Sequence, residues 1–320
     1  MSFQDIKGHD NITLFFKKTL QAGRLSHAYL FLGPDGVGKA LTAHMLSKAL
    51  NCVSKKGDCC DACAPCLKIE NKNHPDVMWI EGGNSIDIDT IRNMQERISL
   101  RPYEARSKIY IIRDSHKMTL DAANCLLKTL EEPPLDSVIV LISSKPDELP
   151  LTVRSRCKII KFGPLELKLR VGLAEKQGFS GEDALFLAKL AGSGAAVTAG
   201  RKGALEYKNR VIDEFNSKAA LLDDTSFIFK EEKEGIIFAL SIVETWFRDM
   251  LLLKSGAKAD FVVNYDRLAQ LKEIKDAFSE EQLEGILKEV DDAIYYADRN
   301  VGPKIALNNL KIRIGDKITA

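Results

Sequence analysis

Residues 33–40 read GPDGVGKA, a glycine loop set between an apolar run, Ala28-Tyr29-Leu30-Phe31-Leu32, and a helical stretch from Ala43 to Leu50. Strand, glycine loop, helix is the setting in which backbone N–H groups and a helix N-terminus converge on phosphate. The pattern G-x-x-x-x-G-K-[ST] is met by Gly33, Gly38 and Lys39, with Gly36 between them, and then breaks at Ala40. That last place ordinarily supplies a hydroxyl ligand to Mg²⁺. An ordinary tight turn between strand and helix is the plainer alternative, and the flanking pattern argues against it.

Four further short runs share the character of Ala28–Leu32: Val77–Ile80, Ile109–Ile112, Val138–Ile142 and Lys158–Phe162. Near-continuous apolar runs suit parallel strands buried on both faces. Helical patterns lie between them at Leu41–Leu50, Thr90–Leu100 and Leu120–Leu130. Strands alternating with helices predict a doubly wound α/β domain over residues 1–165, ending near Gly163-Pro164. Beyond it strand signals vanish. Residues 166–205 read as a small helical module broken by glycines, and residues 206–320 as an all-α bundle. In the bundle, Ile236, Leu240, Val243, Phe247 and Leu251 recur on one helical face. Ser279 through Gln282 reads as a helix start before Leu283, Ile286, Leu287 and Val290.

Cys52, Cys59, Cys60, Cys63 and Cys66 fall within 15 residues, between the first helix and the second strand. Cys60-x2-Cys63-x2-Cys66 with Cys52 upstream offers four thiolates to a tetrahedral ion, and zinc suits a closed four-sulfur structural site. An iron–sulfur cluster and free thiols are the alternatives. Cys59 is the spare, since adjacent residues rarely ligate one small ion together. His74 is a possible substitute ligand, although His-Pro-Asp at a strand entry suits a local structural role. Cys125 and Cys157 stand apart and read as small buried hydrophobes. Hydrophobic content of 45%, 28% charged residues and a net charge of +1 fit a globular chain without a dedicated DNA-coating surface. With neither a membrane-length apolar run nor a secretory leader pattern, the chain reads as cytosolic, so reduced, metal-binding cysteines are expected before disulfides.

A nucleotide-hydrolysing site needs an acid at the end of a neighbouring strand to hold Mg²⁺. The third run is followed by Arg113-Asp114-Ser115-His116. A cation at Arg113 opposes the metal, so the hydroxyl ligand and the acidic ligand are missing together.

Three stretches carry a family likeness. They are His27-Ala28-Tyr29-Leu30-Phe31, the run from Asn124 to Pro134 (NCLLKTLEEPP), and Leu149 to Cys157 (LPLTVRSRC). With the inserted cysteines they resemble the clamp-loader ATPases of the AAA+ class, densely over residues 1–165 and more weakly beyond, where Asn300 through Leu310 has the look of the family's last helices. The resemblance implies a P-loop domain with a zinc module at about 52–66, a helical lid at 166–205 and a helical collar at 206–320 that holds a ring-like pentamer together. It implies partners in gamma/tau-type motor subunits and a delta subunit, with the sliding clamp and primed DNA met in the assembled complex.

In this family the Arg of the Ser155-Arg156-Cys157 segment reaches into the adjacent subunit's nucleotide site, so the likeness gives Arg156 that role in trans. On residues alone, Arg156 is a surface side chain capping a loop. The lid's Gly192-Ser193 is usually followed by a phosphate-sensing Arg, whereas Gly194, Ala195 and Ala196 stand here. Ser143 or Ser144 is a candidate sensor on the fourth strand. The expectation is a stationary, arginine-donating loader subunit with no polymerase activity and no significant ATPase of its own, whose loop at Gly33, Gly36, Gly38 and Lys39 holds ATP or ADP weakly or not at all. The alternatives are a competent loader ATPase and a zinc-dependent DNA-binding module. The cysteine loop's poverty in Arg and aromatics argues against the second, with Lys55 and Lys56 read as solvated surface.

Overall fold

The computed structural model describes residues 2–83, 85–192, 202–216, 227–299 and 302–319. The chain divides into two compact units, Met1–Leu165 and Glu166–Ala320.

In the first unit the five apolar runs form one parallel sheet: β1 (Ala28–Leu32), β2 (Val77–Glu81), β3 (Lys108–Arg113), β4 (Ser137–Ser143) and β5 (Lys158–Lys161), in the order β2-β3-β4-β1-β5. Leu30 pairs with Leu141 on one side and Ile159 on the other, and Trp79 pairs with Ile111. β1 shows why the central runs are apolar throughout. Its side chains alternate between two cores. Tyr29 and Phe31 join Phe16, Leu46 and Phe162 on one face, while Ala28, Leu30 and Leu32 join Ile91, Leu126 and Val153 on the other. The first face is covered by α1 (Asp10–Ala22) and α2 (Lys39–Asn51), the second by α4 (Ile88–Ser99) and α5 (Leu120–Glu131). The edge strand β5 reads Lys-Ile-Ile-Lys, and charged ends of this kind discourage pairing with another chain.

Local chemistry fixes the helix starts. The Asp87 carboxylate accepts the Thr90 N–H at 2.8 Å, and the Thr119 hydroxyl accepts the Ala122 N–H at 3.2 Å. Asp76, buried at the entry to β2, accepts the N–H groups of Tyr103, Glu104 and Ala105 at 2.8–2.9 Å. It thereby pins the loop between α4 and β3. The short α3 (Ala64–Glu70) follows the cysteine loop, and the four-residue α6 (Leu151–Arg154) precedes β5.

The second unit is helical: α7 (Leu167–Lys176), α8 (Gly181–Gly192), α9 (Ala204–Asn216), α10 (Lys233–Lys254), α11 (Leu268–Ile274), α12 (Glu280–Asp298) and α13 (Pro303–Thr319). α10 runs through its middle, buried on most sides from Ile236 to Met250. Phe186, Leu187 and Leu190 of α8 pack into the same core as Trp246, Phe247 and Leu310, so the segments read from sequence as lid and collar share one hydrophobic interior. Ser279 caps α12 with the reciprocal Gln282 contact of a capping box. Two buried lysines are matched by acids, Lys208 by Asp266 and Lys311 by Glu214. Buried charge is tolerated only with such partners.

Candidate functional site: glycine loop, cysteine cluster and Arg156

The glycine loop leaves β1 and enters α2, with Gly38 at the helix N-cap. Gly33, Gly36 and Gly38 have φ of 152°, 75° and 97°, where a side chain is disfavoured. At Gly33 space is short as well: a Cβ there would stand 2.3 Å from the Phe162 carbonyl oxygen. Gly33→Ala is therefore expected to destabilise the first unit by about 3 kcal/mol, read as a lower urea midpoint. An unchanged midpoint would mean that the β5 exit yields freely.

Lys39 is buried and bent back on its own loop. Its ammonium donates to the Gly33 carbonyl and, at 2.6 Å, to that of Pro34, with Asp35 at 3.5 Å. Burial lowers its pKa, and Asp35 and Asp114 oppose that shift. Ala40 packs against the apolar core beneath the sheet. The next hydroxyl along the helix, that of Thr42, donates to the Gly38 carbonyl at 2.9 Å and so is spent on its own backbone. At the end of β3, Arg113 pairs with Glu81 at 3.5 Å, while Asp114 sits in a left-handed turn with φ 49°.

Ser143, at the end of β4, is wholly buried. Its hydroxyl lies 3.2 Å from His116 Nδ1, donates to the Lys145 carbonyl and accepts the Lys145 N–H. Its bonding capacity is thus met by its neighbours. The sequence reading missed two groups here, His116 and His9. His9 Nε2 lies 2.9 Å from the Val37 carbonyl, and its ring packs edge-on against Phe162, which seats the N-terminal segment on the glycine loop. Neither histidine lies in a motif, and only the fold reveals these contacts. The phosphate-sensor expectation at Ser193 and beyond lies outside the described residues.

The cysteine loop runs from the end of α2 to the start of α3. Cys52 terminates the first helix and Cys63 precedes the second. The sulfurs of Cys52, Cys60, Cys63 and Cys66 all lie within 4.8 Å of one another, with Cys63 Sγ 4.0 Å from Cys52 Sγ. Sulfurs about 2.3 Å from a tetrahedral zinc stand about 3.8 Å apart, so the donor set and its spacing fit a zinc site. The N–H of Cys63 donates to Cys60 Sγ, and that of Lys55 to Cys52 Sγ, both at 3.3 Å. Backbone N–H groups of Ala62 and Cys63 lower the Cys60 thiol to about 6, favouring the thiolate a metal requires. Cys59 lies outside this group. Burial, with Asp61 beside it, pushes its thiol up to about 12. His74 Nδ1 accepts the Asp76 N–H at 3.2 Å, a local structural contact.

A charge cluster backs the loop. Lys48 of α2 is fully buried and bridges Asp61 in the loop and Glu70 at the end of α3, the latter at 2.6 Å. Burial works against its charge, yet the two carboxylates raise its pKa well above the ordinary lysine value. Of the remaining cysteines, Cys125 donates to Gln95 at 3.1 Å, and burial pushes the Cys157 thiol up to about 12.

Arg156 stands between α6 and β5. Its Nε donates to Glu131 Oε1 at 2.7 Å, Nη2 lies 2.5 Å from the same oxygen, and Nη1 donates to the Thr152 carbonyl at 3.0 Å. Arg154, two residues before, is 3.6 Å from Asp147.

A five-stranded parallel sheet in this order, with a glycine loop leading from its β1 into a helix and a cysteine module inserted after that helix, defines a P-loop domain of the AAA+ class. Residues 8–166 match the family described as DNA polymerase III, delta subunit. The chain is 42% identical over 151 residues to the DNA polymerase III subunit delta' of Bacillus subtilis, a match covering 47% of this chain and 46% of that protein. It is 37% identical over 175 residues to the tau subunit of the same organism, covering 54% and 31%. The chain thus spans less than half the length of these relatives. Among solved structures, a DNA polymerase III gamma subunit-related protein from Thermotoga maritima aligns over 95% of this chain and 99% of its own at 20% identity and a TM-score of 0.39. The N-terminal domain belongs to the clamp-loader subunit family of DNA polymerase III. Among the described residues no helix is long and apolar enough to cross a membrane.

Proposed function

We propose that the chain is a delta-prime-type subunit of the DNA polymerase III clamp loader, which hydrolyses no ATP itself and supplies Arg156 to the nucleotide site of a neighbouring subunit. One contrast carries this reading. The groups that would handle metal and phosphate in its own loop are replaced or satisfied internally: Ala40 has no hydroxyl, Arg113 faces Glu81, and Lys39 is folded onto Gly33 and Pro34. Arg156 pairs with Glu131, yet its side chain stays 35% exposed. A planar, permanently charged guanidinium suits the stabilisation of γ-phosphate charge.

In this role the chain works with gamma/tau-type motor subunits and a delta subunit, helps place the sliding clamp, and meets primed DNA only in the assembled complex. Zinc held by Cys52, Cys60, Cys63 and Cys66 folds the insertion, and any ATP or ADP binds weakly. Residues 166–205 act as lid and 206–320 as collar.

Steady-state ATP hydrolysis under Mg²⁺ tests the reading, with the chain alone and then mixed with motor subunits. Silence alone with stimulation in the mixture is the expected result. Robust turnover by the isolated chain would make it a motor subunit in its own right.

A further inference from the structure

We propose that Glu131 is a positioning residue for Arg156, holding its guanidinium ready for the neighbouring site; this rests on the trans role proposed above. The two residues lie 25 positions apart, on different elements. Glu131 is the last residue of α5, and the chain then turns through Glu132 to Pro133 and Pro134. Proline cannot continue the helix, so the backbone carrying the carboxylate is well fixed. A carboxylate at a helix C-terminus sits at the negative end of the helix dipole and is disfavoured there unless a cation faces it. The facing cation is Arg156.

The contact is more than a single charge pair. Nε and Nη2 converge on one Glu131 oxygen while Nη1 reaches the Thr152 carbonyl, so two fixed acceptors on two elements set the plane of the guanidinium. Both side chains stay partly open, 35% exposed for Arg156 and 50% for Glu131. An exposed pair contributes little to fold stability. Its consequence is conformational: an arginine otherwise free to sample many rotamers is held in few, and less ordering remains when it meets a phosphate.

The test is turnover of the complex with gamma/tau-type subunits, carrying wild-type chain, Arg156→Ala, Glu131→Ala or Glu131→Gln. Glu131→Ala is expected to lower the rate at the one nucleotide site that Arg156 adjoins roughly 3- to 30-fold, so that total turnover moves part of the way toward that of Arg156→Ala, with KM for ATP and the thermal midpoint of the isolated chain unchanged. Glu131→Gln keeps an acceptor oxygen and should recover part of that loss, which a merely structural role would not produce. If Arg156→Ala is slow but Glu131→Ala matches wild type, the positioning role is wrong and the trans arginine stands. If Glu131→Ala is faster than wild type, Glu131 restrains the arginine rather than presenting it, and the proposal is overturned. If Arg156→Ala itself turns over normally, both readings fall together.

Discussion

Arg156→Ala, assembled with gamma/tau-type ATPase subunits, is expected to lose about 10³-fold or more in the rate at the one nucleotide site it adjoins. The assembly's total turnover then falls by that site's share. The size of the effect follows from what the side chain supplies. A transferring phosphoryl group spreads charge over its oxygens, and a guanidinium brought in from the next subunit meets that charge in a site where water is scarce. Lysine is a poor substitute because it lacks the planar fork, so Arg156→Lys should recover little. The isolated variant should melt within about a degree or two of wild type, because the partly exposed pair with Glu131 is worth less than about 1 kcal/mol. Turnover unchanged in a correctly assembled complex would remove Arg156 from the mechanism.

Loss of metal is the second large effect. Structural zinc in small modules contributes on the order of 10–16 kcal/mol at neutral pH, all of it coupled to folding. Cys60→Ser is expected to drop zinc content well below stoichiometric and to lower the thermal midpoint, as is treatment of the wild type with a strong chelator. The choice of Cys60 makes the result informative, since Cys59 stands beside it. Full zinc retention in Cys60→Ser would hand the ligand position to Cys59, whose thiol burial holds near 12.

The sheet was legible in the sequence because a strand covered on both faces leaves a continuous apolar run, as in β1, β3 and β4; the other two runs became the edge strands β2 and β5, which are partly exposed rather than buried on both faces. The cysteine group was legible from spacing, since a tetrahedral site imposes short loops between ligands. Other features were not. Nothing in the string indicates which of its many carboxylates faces Arg156, because an ion pair between elements depends on how α5 and α6 dock. The retreat of Lys39 into its own carbonyls is a rotamer choice, invisible to a pattern that records only residue type. The sequence marked residues 166–205 as helical but not what they pack against. Phe186 and Leu190 proved to share a core with Trp246.

Lys48 gives the first unit an unusual economy. A fully buried ammonium on α2 is held by both Asp61 and Glu70, the first within the cysteine loop and the second at the end of the helix that follows it. Opening that loop would leave the buried ammonium without its counter-charges, both carboxylates being partly exposed, and that works against opening. The helix that begins at the glycine loop and the loop that gathers the sulfurs therefore open together or not at all. Amide hydrogens of Leu46 to Asn51, in the last turns of α2 leading into Cys52, should exchange at a rate set by whether the thiolates are gathered.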